Sequence, residues 1–115
     1  MHELSIAEAV IKQLESYAGT HPGCTVKKVT LEVGVISGID RSALEFAFPL
    51  ALEASSLDKL ELEIITVPVA VECQDCRAKS AVDKFMLKCA SCSSTHVKIC
   101  SGRELKIKSM EIEEA

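Results

Sequence analysis

Four of the six cysteines fall within 20 residues, as Cys73-Gln-Asp-Cys76 and Cys89-Ala-Ser-Cys92, two C-x-x-C pairs separated by twelve residues. Two cysteines three apart on a tight turn aim both sulfurs at one point, with backbone amides behind them to stabilise thiolate charge. Two such turns supply the four ligands of a closed tetrahedral site, and Zn²⁺ accepts thiolates at about 2.3 Å without needing a redox partner. Iron is the alternative ion, but rubredoxin-type knuckles favour Gly after each pair, and here Arg77 and Ser93 occupy those positions. Two disulfides or a dithiol redox centre are the other readings of a C-x-x-C. The segment has only Val82, Phe85, Met86 and Leu87 as bulk, so a metal would stand in for a missing core. A site closed by four thiolates has no open position for catalysis.

A second set of donors stands at Met1-His2-Glu3. A histidine near a terminus is ordinarily solvated and idle. Yet the α-amine, the His2 amide nitrogen and the His2 ring can close fused chelate rings around one ion. Deprotonated amide nitrogens favour Ni²⁺ or Cu²⁺. Glu3 adds a further backbone nitrogen, or a carboxylate that orients the ring. His96, four residues after Cys92, reads as a surface residue of the ribbon, or else as an alternate ligand or a support to one. Cys24 and Cys100 read as free cysteines, and His21 as an exposed loop residue.

The elements that must position these donors follow from apolar periodicity. Leu4, Ala7, Val10, Ile11, Leu14 and Tyr17 recur at helical spacing, with Ser5 and Glu8 as a capping box and Gly19 as a stop. Val29, Leu31, Val33 and Val35 alternate as a half-buried strand. Asp40 would cap a second helix whose face holds Leu44, Ala47, Phe48, Ala51 and Leu52, with Pro49 as an internal defect. Leu60, Leu62 and Ile64 alternate as a second strand, and Leu105 and Ile107 begin a last one. Its phase slips near Ser109 so that Met110 and Ile112 form the apolar set, which predicts a bulge. The last strand has no apolar partner except the first module. The expected fold is therefore α+β: two helices on a small mixed β-sheet, with an inserted zinc-ribbon module. The predicted division is 1–70 plus 102–115 for the α/β domain and 71–101 for the zinc-binding module.

Length and charge limit what this arrangement does. With 115 residues and 48% apolar content, the chain is one small folded unit with an appendage. Overall it is acidic, at −4, but Cys73–Cys100 holds five basic and two acidic residues, a net of +3, against −7 elsewhere. The acidic balance argues against a general phosphate binder. The basic module still permits a runner-up reading, a zinc-ribbon nucleic-acid-binding module, although Phe85 is its one Phe, Tyr or Trp side chain. A zinc enzyme fits less well, since no Ser/His/Asp or paired-carboxylate constellation is visible. No apolar run approaches the ~20 residues of a membrane span. Glu3, Glu8 and Glu15 interrupt the N-terminus and no basic region precedes it, unlike a signal peptide. A cytoplasmic protein is expected.

Taken together, the N-terminal Met1-His2-Glu3, the amphipathic helix behind it and the two late C-x-x-C pairs resemble the HypA/HybF hydrogenase maturation factors. The resemblance extends over Glu32-Val33-Gly34, Phe46-Ala47-Phe48 and the closing Gly102-Arg103-Glu104-Leu105. It implies a nickel metallochaperone, not an enzyme, that works with the GTPase HypB to load nickel into the precursor of the [NiFe]-hydrogenase large subunit. By position, His2 would be the essential Ni(II) ligand, with Met1 and Glu3 contributing main-chain nitrogens or orientation. Cys73, Cys76, Cys89 and Cys92 would bind structural Zn(II). No nucleic-acid or membrane partner is implied, and the sequence leaves monomer and homodimer both open.

Overall fold

A computed structural model describes residues 3–57 and 59–114. The elements are α1 (Glu3–Thr20), β1 (Cys24–Gly34), α2 (Arg41–Glu53), β2 (Glu61–Val67), β3 (Ala70–Cys73), β4 (Lys79–Ala81), β5 (Val97–Ser101) and β6 (Leu105–Glu114). They form two three-stranded sheets, ordered β2-β1-β6 and β4-β3-β5, in a molecule 54 Å long and 16 Å at its thinnest. The expected fold class holds: β1 runs parallel to β2 and antiparallel to β6, and two helices share a core with this mixed sheet.

The parallel pair follows from α2, which carries the chain back between β1 and β2. Asp40 caps that helix, its Oδ1 accepting from Ala43 N at 3.2 Å. The helix continues through Pro49 and buries Leu44, Ala47, Phe48 and Ala51, while Leu52 is only half-buried. In α1 the buried stripe is Ile6, Ala7, Val10, Ile11 and Leu14. Leu4, expected on that face, is 45% exposed, because Ile6 lies four residues before Val10 and takes the core position instead. Ser5 is not the cap, since the helix is already under way at Glu3, and Gly19 does not end it. The end is made by Thr20 and His21. The Thr20 hydroxyl donates to Tyr17 O at 3.0 Å, and the His21 ring stacks on Tyr17 at 3.9 Å between centroids. His21 is exposed just past the helix, as expected, and its stacking on Tyr17 is an addition the sequence did not show.

The bulge in the last strand is present, and it has a counterpart. Ser109 faces Thr30 and Ile107 faces Leu31, leaving Lys108 as the extra residue of β6. Ile112 faces Val26 and Glu111 faces Lys28, leaving Lys27 extra on β1. Each insertion restores the alternation, so that Val26 joins Val29, Leu31 and Val33 in the core. Val35 lies beyond the strand and is exposed.

The two sheets meet where β1 ends. Gly34 N donates to Glu104 O at 2.7 Å, Val35 N to Val67 O at 2.9 Å, and Ile36 N to Gly102 O at 2.8 Å. Ser101 Oγ donates to Pro68 O at 2.9 Å, fastening the outgoing connection to the returning one. Backbones cross so closely here that a Cβ on Gly34 would lie 2.0 Å from Gly102 O. Gly102 itself has φ +114°, a conformation L side chains rarely adopt.

Candidate metal centre

The cysteines sit on two turns of the same construction. In the first, Cys73 N donates to Ala78 O at 2.9 Å and Arg77 N to Cys73 O at 3.0 Å. The amides of Asp75 and Cys76 donate to Cys73 Sγ at 3.3 and 3.4 Å. In the second, Cys89 N donates to Ser94 O at 2.8 Å and Ser93 N to Cys89 O at 3.0 Å. The amides of Ser91 and Cys92 donate to Cys89 Sγ at 3.3 and 3.4 Å. Arg77 and Ser93 close their turns with φ +66° and +62°. This left-handed conformation is the reason such knuckles favour Gly at those positions. β3 delivers Cys73 and, paired with β4 and β5, fixes the first turn against the exit strand.

All four Sγ atoms lie within 4.8 Å of one another, the one such cluster of metal-ligating groups among the described residues. Cys73 and Cys92 sulfurs are 3.6 Å apart and those of Cys76 and Cys89 3.5 Å. A tetrahedron with metal–sulfur bonds of about 2.3 Å has edges of about 3.8 Å, so the spacing suits a tetrahedral thiophilic ion. It is far too long for disulfides, whose sulfurs bond at about 2.0 Å, and all six cysteines are free. Cys73 and Cys89 are buried, whereas Cys76 and Cys92 are exposed.

The electrostatics divide the sulfurs in the same way. The Cys92 amide, with that of Ser91, brings the Cys89 thiol down to about 6 despite its burial. Cys73 is lowered likewise, chiefly by the Cys76 amide. For Cys92 the Ser94 amide also lowers the thiol, but its hydrogen bond with Cys73, desolvation and the remaining sulfurs together push it up to about 12. Cys76 is raised too, the Ala78 amide being outweighed by Cys89 and desolvation. Amide donors thus favour the thiolate at Cys73 and Cys89, while crowding by neighbouring sulfurs disfavours it at Cys76 and Cys92. A dication held by Cys73, Cys76, Cys89 and Cys92 would relieve that crowding and compete with protons for the sulfurs.

Asp75 ties the two turns together. Its carboxylate accepts from Ser94 Oγ, and its Oδ1 lies 3.6 Å from His96 Nδ1. The Ser94 hydroxyl, then His96, holds the Asp75 carboxyl below its usual range. His96 N in turn donates to Ser94 Oγ at 3.0 Å, and His96 O accepts from Gln74 N at 2.8 Å. His96 is thus beside the centre, linked to it through Asp75, and is not one of its four donors. Sequence reasoning overlooked Asp75 and Ser94; their places inside the two turns were the available signal.

Met1 and His2 lie outside the described residues. Glu3 begins α1, and its Oε2 accepts from Asp40 N at 3.2 Å. The start of the first helix is thereby fastened to the cap of the second, a link across 37 residues that periodicity does not reveal. Cys24 opens β1 opposite Glu114, and Cys100 lies exposed in β5. Neither approaches the four-sulfur cluster.

Comparison with known proteins agrees over the full length. Residues 1–112 match the family model described as hydrogenase/urease nickel incorporation, metallochaperone, hypA. The hydrogenase maturation factor HypA of Psychromonas ingrahamii is 40% identical over 98% of this chain and 99% of its own. That of Nitrosospira multiformis is 37% identical over 97% of each. A solution structure of a HypA protein superimposes with a TM-score of 0.73 at 28% identity, over 98% of this chain and 97% of that one. The solution structure of the Ni metallochaperone HypA from Helicobacter pylori gives 0.68 at 28% identity, over the whole of both chains. The chain belongs to the HypA family of hydrogenase maturation factors, which are metallochaperones and not enzymes.

Proposed function

We propose that this chain binds Ni(II) as transferable cargo through Met1, His2 and Glu3, and Zn(II) as a structural ion through Cys73, Cys76, Cys89 and Cys92. It delivers nickel for assembly of the [NiFe]-hydrogenase active site, acting in the cytoplasm with the GTPase HypB on the large-subunit precursor. The proposed division of labour is 1–70 plus 102–115 as the nickel-binding domain and 71–101 as the zinc-binding module, and the presence of two separate sheets supports it. The observation that carries this reading is the family match over residues 1–112. The contrast between the two donor sets supports it.

A closed thiolate cage is suited to keeping an ion. A set of few nitrogen donors at the chain's start is suited to releasing one, because a partner can supply replacement donors one at a time. Glu3 assists by holding the start of α1 against Asp40. Binding through deprotonated nitrogens weakens as pH falls, since protons compete for the same lone pairs. The basic module suits nucleic acid poorly, since its one Phe, Tyr or Trp side chain, Phe85, lies under Lys84 at 5.0 Å and offers no platform for successive bases.

Replacing His2→Ala is expected to abolish stoichiometric Ni²⁺ binding in calorimetry while zinc content and the far-UV spectrum stay unchanged. Retained nickel affinity in that variant would remove His2 from the site. Residues added before Met1 should have the same effect, because they convert the α-amine into an amide.

A further inference from the structure

Two sulfur–sulfur contacts of the metal centre run across its turns, Cys73 with Cys92 at 3.6 Å and Cys76 with Cys89 at 3.5 Å. Each takes one cysteine from each turn, and each sets a buried member, Cys73 or Cys89, against an exposed one, Cys92 or Cys76. An exposed thiolate is open to a dissolved oxidant, and a second sulfur in contact behind it is placed to resolve the oxidised product. The hydrogen bond from Ser94 Oγ to the Asp75 carboxylate ties the same two turns together independently of the sulfurs. Little else holds the module, since Val69 and Val71 are nearly all of its buried apolar content. Whatever replaces an ion here must therefore join the turns to each other.

We propose, on the reading of this centre as a structural Zn(II) site, that it is also a redox switch: peroxide converts it into two disulfides across the turns, Cys73–Cys92 and Cys76–Cys89, and the metal is set free. In each pair the exposed thiolate attacks one peroxide oxygen, the O–O bond breaks, and hydroxide leaves as a sulfenic acid forms. The buried thiolate then attacks that sulfur, and a second hydroxide leaves as the S–S bond closes. Per pair, two thiolates, one peroxide and two protons give one disulfide and two waters. Two peroxides consume all four donors, and a dication then has no thiolate to hold it. The sulfurs of each pair need approach by only about 1.5 Å to reach the ~2.0 Å of the bond. Asp75 and Ser94 keep the turns in register while this happens. Disulfides within a turn, Cys73–Cys76 and Cys89–Cys92, are the competing product and would leave the turns unlinked. Links across the turns put a covalent staple where the ion was, so the oxidised module loses its metal and keeps its shape.

The test uses the full chain, as wild type and with Cys24→Ser and Cys100→Ser, which remove the two cysteines outside the cluster. Zinc per chain is measured first. Hydrogen peroxide is then added stepwise beside a chromophoric zinc chelator, and the product is digested with trypsin without reduction. One zinc should be released for every two peroxides consumed, and peptides 60–77 and 89–98 should be joined and four hydrogens lighter. Cleavage before Asp75 and fragmentation between Cys89 and Cys92 then assign the partners. Dithiothreitol should restore four thiols and zinc uptake. The oxidised, metal-free protein should keep the amide NMR dispersion of residues 71–101, unlike reduced protein stripped by a chelator. Unjoined peptides, a Cys73–Cys89 link, zinc retained in a large excess of peroxide, or zinc lost to sulfinic and sulfonic acids each overturns the proposal. Protein that carries no zinc before oxidation overturns the structural-zinc reading instead, and the peptide map still decides the pairing.

Discussion

The two sheets of this molecule solve the same problem by different means. Around β2-β1-β6, two helices and the strands enclose a continuous aliphatic core in which Leu14, Leu31, Leu44 and Phe48 are almost wholly buried. Around β4-β3-β5 the buried apolar side chains are little more than Val69 and Val71, with the sulfurs of Cys73 and Cys89 beside them. The first region is specified by many interchangeable contacts, each modest. The second is specified by four atoms and the amides that face them. A fold of the first kind degrades gradually under substitution, and one of the second kind fails at once when its ion leaves.

The largest expected effect tests that difference directly. A structural Zn²⁺ site contributes an apparent ~10–16 kcal/mol in small zinc modules, far more than two buried valines supply. Removing the metal with a strong chelator should therefore collapse the amide NMR dispersion of residues 71–101, while helical far-UV ellipticity persists. Cys89→Ser should do the same without chelator, because it removes the sulfur most disposed to ionise. Loss of helix and module together would show that the two regions form one cooperative unit, coupled through the crossing of Gly34 and Gly102.

The converse substitution should spare the metal. Leu44 has no exposed surface and lies on the core face of α2, so Leu44→Ala should cost about 2–5 kcal/mol from lost transfer energy and the cavity left behind. Urea titration followed by the fluorescence of Tyr17, the chain's single tyrosine and a partner of this core, should register that loss. Zinc content below the transition should remain at one per chain. A fall in bound metal before the body unfolds would mean that the module depends on the body's packing.

These differences also explain what was legible in the sequence. The cysteine turns were readable because metal geometry constrains spacing tightly, and the mixed sheet because apolar alternation and an intervening helix leave few alternatives. The exchange of Leu4 for Ile6 was not readable, because both are one helical turn from other members of the stripe and only the sheet beneath decides between them. The junction was hidden as well. Gly34 and Gly102 are 68 positions apart, and nothing local to either shows that their backbones cross. Contacts between side chain and distant backbone, such as Glu3 to Asp40, carry no periodic signature at all.

The smallest expected effect concerns another such contact. Glu15 on α1 accepts from both the amide and the hydroxyl of Ser56, at 2.8 and 2.6 Å, pinning the segment after α2 to the first helix. The Ser56 hydroxyl, then its amide, holds the Glu15 carboxyl below the usual range. A carboxyl lowered in the folded state stabilises it above the unfolded value of about 4.3, and that contribution fades as pH falls through the lower folded value. Glu15→Gln keeps an acceptor oxygen but never carries the charge. At pH 7 the variant should be slightly less stable than the wild type by Tyr17-detected urea unfolding, and the gap should close below about pH 4. Since the reporter sits in the body, metal loss from the cysteine module in acid should not move it. A gap that stays constant down to pH 3 would show that the ionised carboxylate adds nothing beyond its shape, and that the body, unlike the cysteine module, owes its stability to packing alone.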